Sequence, residues 1–291
     1  MLHATIVGTE PVAGSKPSPL VCAVGDLLLD LVVRPTQPLV HGGDVVARTH
    51  VGAGGQAANV AAWAAALGGR GRYLGKRAGD AAGALVAAEL ESHGVALVGP
   101  LVGGRTGVVV SLVDAAGERS MASDRGAAAE LRPEEIDAGW LDGGDVLHVS
   151  GYALARTPVA DAAERLAELA RTGAITVSAD VSAATLVDAA FRDRLDRLRP
   201  DLLFATEEER AALGGELGAP AWVLKRGQRG CTFSREDVTL DLPVEPGPVV
   251  DTTGAGDALA AGFLLGGTLE EAAARAIGAA ARCVAQVGSM P

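Results

Sequence analysis

Pro248-Val-Val-Asp251-Thr-Thr-Gly254-Ala-Gly256-Asp257-Ala-Leu-Ala-Ala261 carries the densest chemistry in the chain. A Gly-rich turn leads directly into an Ala/Leu helix. Gly254, Ala255 and Gly256 put no large side chain between the main chain and a ligand, so an anion can approach the backbone closely. At a helix start the N–H groups point outward and the helix dipole favours negative charge, which makes a phosphate cradle. Asp257 stands in the same turn and can accept the proton of an attacking hydroxyl. Phosphoryl transfer needs positioning, charge stabilisation and a base for the nucleophile. The helix-end N–H groups are expected to keep Asp257 ionised. A Gly-rich turn with an Asp capping a helix accounts equally well for Gly-Ala-Gly-Asp alone. The oxygen-bearing side chains of Asp251, Thr252 and Thr253 favour the functional reading.

A second turn-to-helix stretch, Gly54-Gly55-Gln-Ala-Ala-Asn59-Val-Ala61, lies near the other end of the chain. Gly54 and Gly55 let a ligand sit against the backbone, and Asn59 lies one turn into the helix. Asp26 and Asp30 follow the first apolar run, Leu20–Val24. A carboxylate accepts two hydroxyl hydrogen bonds, which suits a polyol. Asp26 also fits a turn, whereas Asp30 among apolar residues is costly without a partner. Gly52-Ala-Gly54-Gly-Gln-Ala57 meets the loose dinucleotide pattern as well, with Asp80 as ribose acid. That makes an NAD-binding oxidoreductase a competing reading, weakened because the match follows a half-polar strand rather than the first buried one. No Walker A loop occurs.

The rest of the chain alternates short apolar runs with helical segments, most clearly from Val146 onward. This predicts a parallel sheet covered on both faces by helices. The earlier mixed strands break the alternation and suggest a small separate β-sheet lid drawn from about 31–51 and 102–123. Asp114-Ala-Ala-Gly117 reads as a hairpin turn there. Residues 1–19, with three prolines and no sustained apolar run, read as a flexible tail before one domain spanning 20–291. A net charge of −11 and the lack of a basic run argue against nucleic acid. No apolar run is long enough to span a bilayer. The scattered Cys22, Cys231 and Cys283 fit reduced, buried thiols in a cytoplasmic protein.

Together the two Gly-rich motifs resemble the ribokinase-like, or phosphofructokinase-B (PfkB), family of carbohydrate kinases. The family's Gly-Gly-x-x-x-Asn-x-Ala stretch matches Gly54–Ala61, and its D-T-x-G-A-G-D stretch matches Asp251–Asp257. The resemblance covers roughly Leu20 to Pro291 and implies a three-layer α/β/α sandwich with a small β lid. It implies Asp257 as base and Gly254, Ala255 and Gly256 as anion hole. Asp26, Asp30, Gly54, Gly55 and Asn59 would line the substrate site. Thr206, Glu209, Lys225, Gly227, Gly230 and Thr252 would lie near ATP, with Mg2+ reached from Glu209 through water. The family's Asn-x-x-Glu is Thr206-Glu-Glu-Glu209 here, a pattern that also makes a charged first turn with Thr206 as N-cap. Some relatives bind a monovalent cation, K+, at a neighbourhood matching Asp251, Thr253, Gly288 and Ser289.

The expected substrate is a neutral monosaccharide or related sugar, with a nucleoside next. Ribokinases carry Lys where this chain has Gln56. A sugar phosphate would want cations near the lid, where Arg48, Arg105, Arg119 and Arg125 are available. A non-catalytic sugar or nucleotide sensor on the same fold is argued against by the intact Asp257. Exposed lid strands offer pairing between two chains as a homodimer.

Overall fold

The computed structural model describes residues 17–114 and 119–291. Most of the tail proposed for residues 1–19, and the turn within Asp114–Gly117, lie outside the described residues. The central sheet has nine strands. Their order is Val238–Leu242, Cys231–Arg235, Ala221–Lys225, Leu202–Thr206, Thr176–Asp180, Val146–Ser150, Leu20–Val24, Arg70–Leu74 and Ala96–Val98. The last seven run parallel, and the first two form an antiparallel hairpin at one edge. Leu20–Val24 is wholly buried, as a parallel strand covered on both faces should be.

Helices Gln56–Ala66, Ala81–Ser92, Ala255–Leu264 and Leu269–Val284 cover one face, and Val159–Thr172 and Ala189–Leu198 the other. This is the expected three-layer sandwich. With few aromatics, the core relies on small residues, and Ala-rich helices pack tightly around Trp63, Phe204, Phe233 and Phe263. Among the described residues no helix is long and apolar enough to cross a membrane.

A separate four-stranded sheet has the order Ala47–Gly54, Leu28–Pro35, Thr106–Val113, Arg119–Gly126. It draws on more of the chain than 31–51 and 102–123. The glycine-rich segment Gly52–Gly54 completes a strand paired with Leu28–Asp30. Gly54 is needed there because a Cβ would lie 2.8 Å from the Asp30 Cβ. Gly99-Pro100 separates two short strands, Ala96–Val98 and Leu101–Val102.

The chain enters the central sheet at Leu20–Val24, the third strand from one edge. It builds outward to Arg70–Leu74 and Ala96–Val98 on one side, then returns to Val146–Ser150 on the other. The order of strands therefore reverses between Leu20–Val24 and Val146–Ser150. A crevice forms beyond the carboxyl ends of strands at such a switch point.

Candidate active site

A cavity of about 290 Å3 occupies that crevice. Its floor includes Gln56 and Asn59 from one helix, Thr253, Gly254 and Asp257 from the Gly-rich turn, and Ser289. Its roof comes from the four-stranded sheet, where Leu28, Asp30, Val109, Ser111, Met121, Ser123 and Arg125 contribute. Within each strand these are alternate residues, as the pleat requires of one face.

Both Gly-rich turns are fixed by backbone geometry. Gly55 has φ 104°, and a Cβ there would lie 2.3 Å from the Asp26 carbonyl oxygen. Gly254 has φ 76° and sits against Ser289. The helix begins at Ala255, and its first i→i−4 bond runs from the Ala258 N–H to the Gly254 carbonyl. The N–H groups ahead of Ala258 therefore have no intrahelical acceptor. Ala255 N–H makes only a long contact, 3.4 Å, with Thr252 O.

Asp257 stands at this helix start, on the cavity floor. Asn59 Nδ2 donates to its Oδ2 at 2.6 Å, and Ser289 Oγ in turn donates to Asn59 Oδ1 at 3.0 Å. Gln56 lies beside the same carboxyl and lowers its pKa. Gln56 Oε1 accepts from Ser150 Oγ and Ser182 Oγ, both at 2.5 Å, which orients its amide. Burial pushes the Asp257 carboxyl up to about 7; Asp180 raises it further, while Asn59, Lys225 and Gln56 oppose the rise. The expectation that helix-end N–H groups would dominate is corrected here, because desolvation outweighs them.

Lys225 ends its strand with Nζ donating to Asp180 Oδ2 at 2.7 Å. A Cβ on Gly256 would lie 3.6 Å from that Nζ, so the ammonium adjoins the Gly254–Gly256 turn. Burial opposes its charge, but Asp180, Glu209 and Asp257 outweigh this and hold the lysine above its ordinary pKa. Burial raises the Glu209 carboxyl, with Lys225 opposing. Thr206 and Glu209 form a capping box: Thr206 N–H donates to Glu209 Oε2 at 2.7 Å, and Glu209 N–H to Thr206 Oγ1 at 3.2 Å. Gly227 faces open space, whereas a Cβ on Gly230 would lie 2.0 Å from the Leu242 carbonyl oxygen. Gly230 is thus accounted for by the edge hairpin. Thr252 is exposed.

Asp26 is buried and holds Arg125 bidentately, at 2.6 and 2.7 Å. This ties the roof sheet to the end of the first strand. Asp30 lines the main cavity and a neighbouring one of about 210 Å3, which also touches His50, Glu89 and His93. Asp251 is buried and accepts from Thr253 N–H, Thr253 Oγ1, Gly288 N–H and Arg34 Nη2. Asp251, Thr253, Gly288 and Ser289 do gather, but around donors already in place. Among the described residues no group of three or more His, Cys, Asp and Glu could hold a metal ion.

The dinucleotide reading fails on geometry. Gly52–Gly54 lies within a strand of the small sheet, not in a turn after a buried parallel strand. Asp80 caps the helix Ala81–Ser92 and bonds Thr106. Asp180, Ser150, Ser182, Gln56 and Tyr152 escaped notice as site residues. The first polar residue closing each buried parallel strand was the available signal. Ser150, Asp180, Thr206 and Lys225 are each the last residue of such a strand, and Asp26 follows the first one by two residues.

The pfkB family carbohydrate kinase model matches residues 18–291. The chain belongs to this family. It is 31% identical over 255 residues to the ATP-dependent ribose-1-phosphate kinase of Halopiger xanaduensis, covering 84% of this chain and 83% of that one. Among solved structures, adenosine kinase from Sinorhizobium meliloti matches with a TM-score of 0.83 and 25% identity, covering 95% and 96% of the two chains. Ribokinase from Thermotoga maritima shares the fold with a TM-score of 0.76 at 24% identity, covering 94% and 96% of the two chains, and an E. coli protein solved in complex with ATP and Mg2+ does so with a TM-score of 0.82 at 21% identity, covering 94% of each chain. The protein is therefore a carbohydrate kinase of ribokinase-like fold.

Proposed function

We propose that this kinase transfers the terminal phosphoryl group of ATP to a hydroxyl of a neutral sugar held in the cavity beneath the small sheet. The carrying observation is the placement of Asp257. It lies on the floor of that cavity, at the start of a helix whose first intrahelical bond begins only at Ala258, with its carboxyl lifted to about 7.

In this proposal Asp257 accepts the proton of the attacking hydroxyl. A base poised near working pH combines a useful ionised fraction with driving force for proton transfer. Asn59 and Gln56 hold the carboxylate in place. The N–H groups of Gly254, Ala255 and Gly256 receive the negative charge that develops on the transferring group, and the Lys225 ammonium adds to that field. Asp26 and Asp30 supply acceptors for sugar hydroxyls. Three carboxylates and one cation face the cavity, and Arg125 is already committed to Asp26. That balance favours an uncharged polyol over a phosphorylated one. The residues fit Mg2+ in its usual manner, carried on nucleotide phosphates with one or two carboxylates nearby. Glu209 and Asp180 would hold its waters, and the ion would neutralise phosphate charge. No part of the proposal uses a monovalent cation, because the Arg34 guanidinium already stands at Asp251.

Ribose 1-phosphate is the second reading, favoured by the Halopiger relative and by the presence of Arg125 in the cavity. The test is ADP release with Mg-ATP across neutral pentoses and hexoses, ribose 1-phosphate and adenosine. Turnover is expected to be highest with a neutral sugar. Turnover confined to the phosphorylated sugar or to adenosine would overturn the substrate class.

A further inference from the structure

We propose that Arg34 is the resident cation of the Asp251–Thr253 turn and takes the place of a monovalent metal ion, so that the enzyme works without K+. This rests on the kinase reading above, since the turn it concerns opens the anion cradle.

The oxygens of the turn already meet donors. The two oxygens of the Asp251 carboxylate offer about four acceptor positions. Oδ1 accepts from Thr253 N–H at 2.9 Å and Thr253 Oγ1 at 2.5 Å, and Oδ2 accepts from Gly288 N–H at 3.3 Å. The remaining direction on Oδ2 is taken by the Arg34 guanidinium at 3.5 Å. The nearby main-chain carbonyls are engaged too. Thr253 O accepts from Cys283 Sγ at 3.2 Å. Burial pushes that thiol up to about 12, so it stays protonated and able to donate. Val284 O accepts from Val250 N–H at 2.7 Å and Asp251 N–H at 3.3 Å. Oxygens that accept a single donor keep a second lone pair for a cation, so what bars an ion here is the Arg34 charge and its place on Asp251 Oδ2.

Arg34 belongs to the small sheet, in the strand Leu28–Pro35. Its guanidinium reaches from that sheet to the first residue of the Gly-rich turn, 217 positions away. Positive charge at this place is thus supplied by a side chain that arrives with the roof of the cavity. Arg34 acts through Asp251 and the turn it anchors, as a positioning residue.

The experiment compares thermal unfolding of the wild type, Arg34→Met, Arg34→Gln and Arg34→Lys in KCl and in choline chloride at matched ionic strength. ADP release is measured alongside. The wild type and Arg34→Lys should show the same midpoint in both salts and rates within about twofold. Arg34→Met and Arg34→Gln should gain about 3 °C or more in K+ over choline, the sign of an ion binding the folded state alone. Either of these two variants suffices if the other fails to fold. A wild type stabilised by K+ as much as Arg34→Met would overturn the proposal. So would folded Arg34→Met or Arg34→Gln indifferent to K+, since Arg34 would then be replacing nothing. The unfolding readout needs no substrate, so a wrong substrate class would leave it intact.

Discussion

Replacing Asp257 by Asn should stabilise the fold, and more so as pH rises. The folded carboxyl sits at about 7 against an ordinary 3.8. Its folded pKa is raised, so its contribution is fully present below the unfolded value and is lost as pH climbs through the folded one. The rise corresponds to roughly 4 kcal/mol between the two charge states. Asn keeps an oxygen for the Asn59 Nδ2 donor and carries no charge to desolvate. The difference between Asp257→Asn and wild type should therefore be small near pH 4, grow through pH 5 to 7, and level off above. Between pH 5 and pH 8 the predicted growth is about 2–3 kcal/mol. Urea unfolding of both proteins at the two pH values measures it, and comparing them at each pH cancels all other titrations. A difference that is flat, or that shrinks as pH rises, would refute the claim that burial dominates at this carboxyl.

The same carboxyl should set an ascending limb in kcat/KM centred near pH 7. Asn59→Ala removes a donor that opposes the rise and should move that limb upward in pH while cutting turnover at pH 7 by about tenfold or more; an unmoved limb would free Asn59 from this role. Arg125→Ala strands a buried Asp26 and should raise the sugar KM by about tenfold or more with the ATP KM unchanged, which initial-rate kinetics reads directly. Gly55→Ala forces a Cβ against the Asp26 carbonyl at positive φ and should lower stability by about 2 kcal/mol or more in urea unfolding.

Much of this was legible in the residues. The alternation of buried strands and helices after Val146 is a periodicity signal, and the observed strands follow it closely. The capping box at Thr206 and Glu209 is a local pattern with a local cause. The strand through Gly52–Gly54 was not legible, because glycine favours it only through the Asp30 side chain packed opposite. The ion pairs of the site were equally hidden. Arg125 meets Asp26 across 99 positions and Lys225 meets Asp180 across 45. No local propensity encodes such partners. Asp257 stands at the helix start and lines the cavity, as its motif suggests, but its carboxyl is pushed up where the sequence suggests an ionised one. A sequence displays helix-end N–H groups plainly, whereas the desolvation that outweighs them exists only once Asn59, Gln56 and Ser289 have closed around it.

The central claim is that Asp257 is the base for phosphoryl transfer. Turnover of Asp257→Asn, measured together with ATP binding by calorimetry, tests it most directly. The account predicts a loss of about 100-fold or more in kcat with ATP affinity within about twofold of wild type. Near-normal turnover in that variant would contradict it.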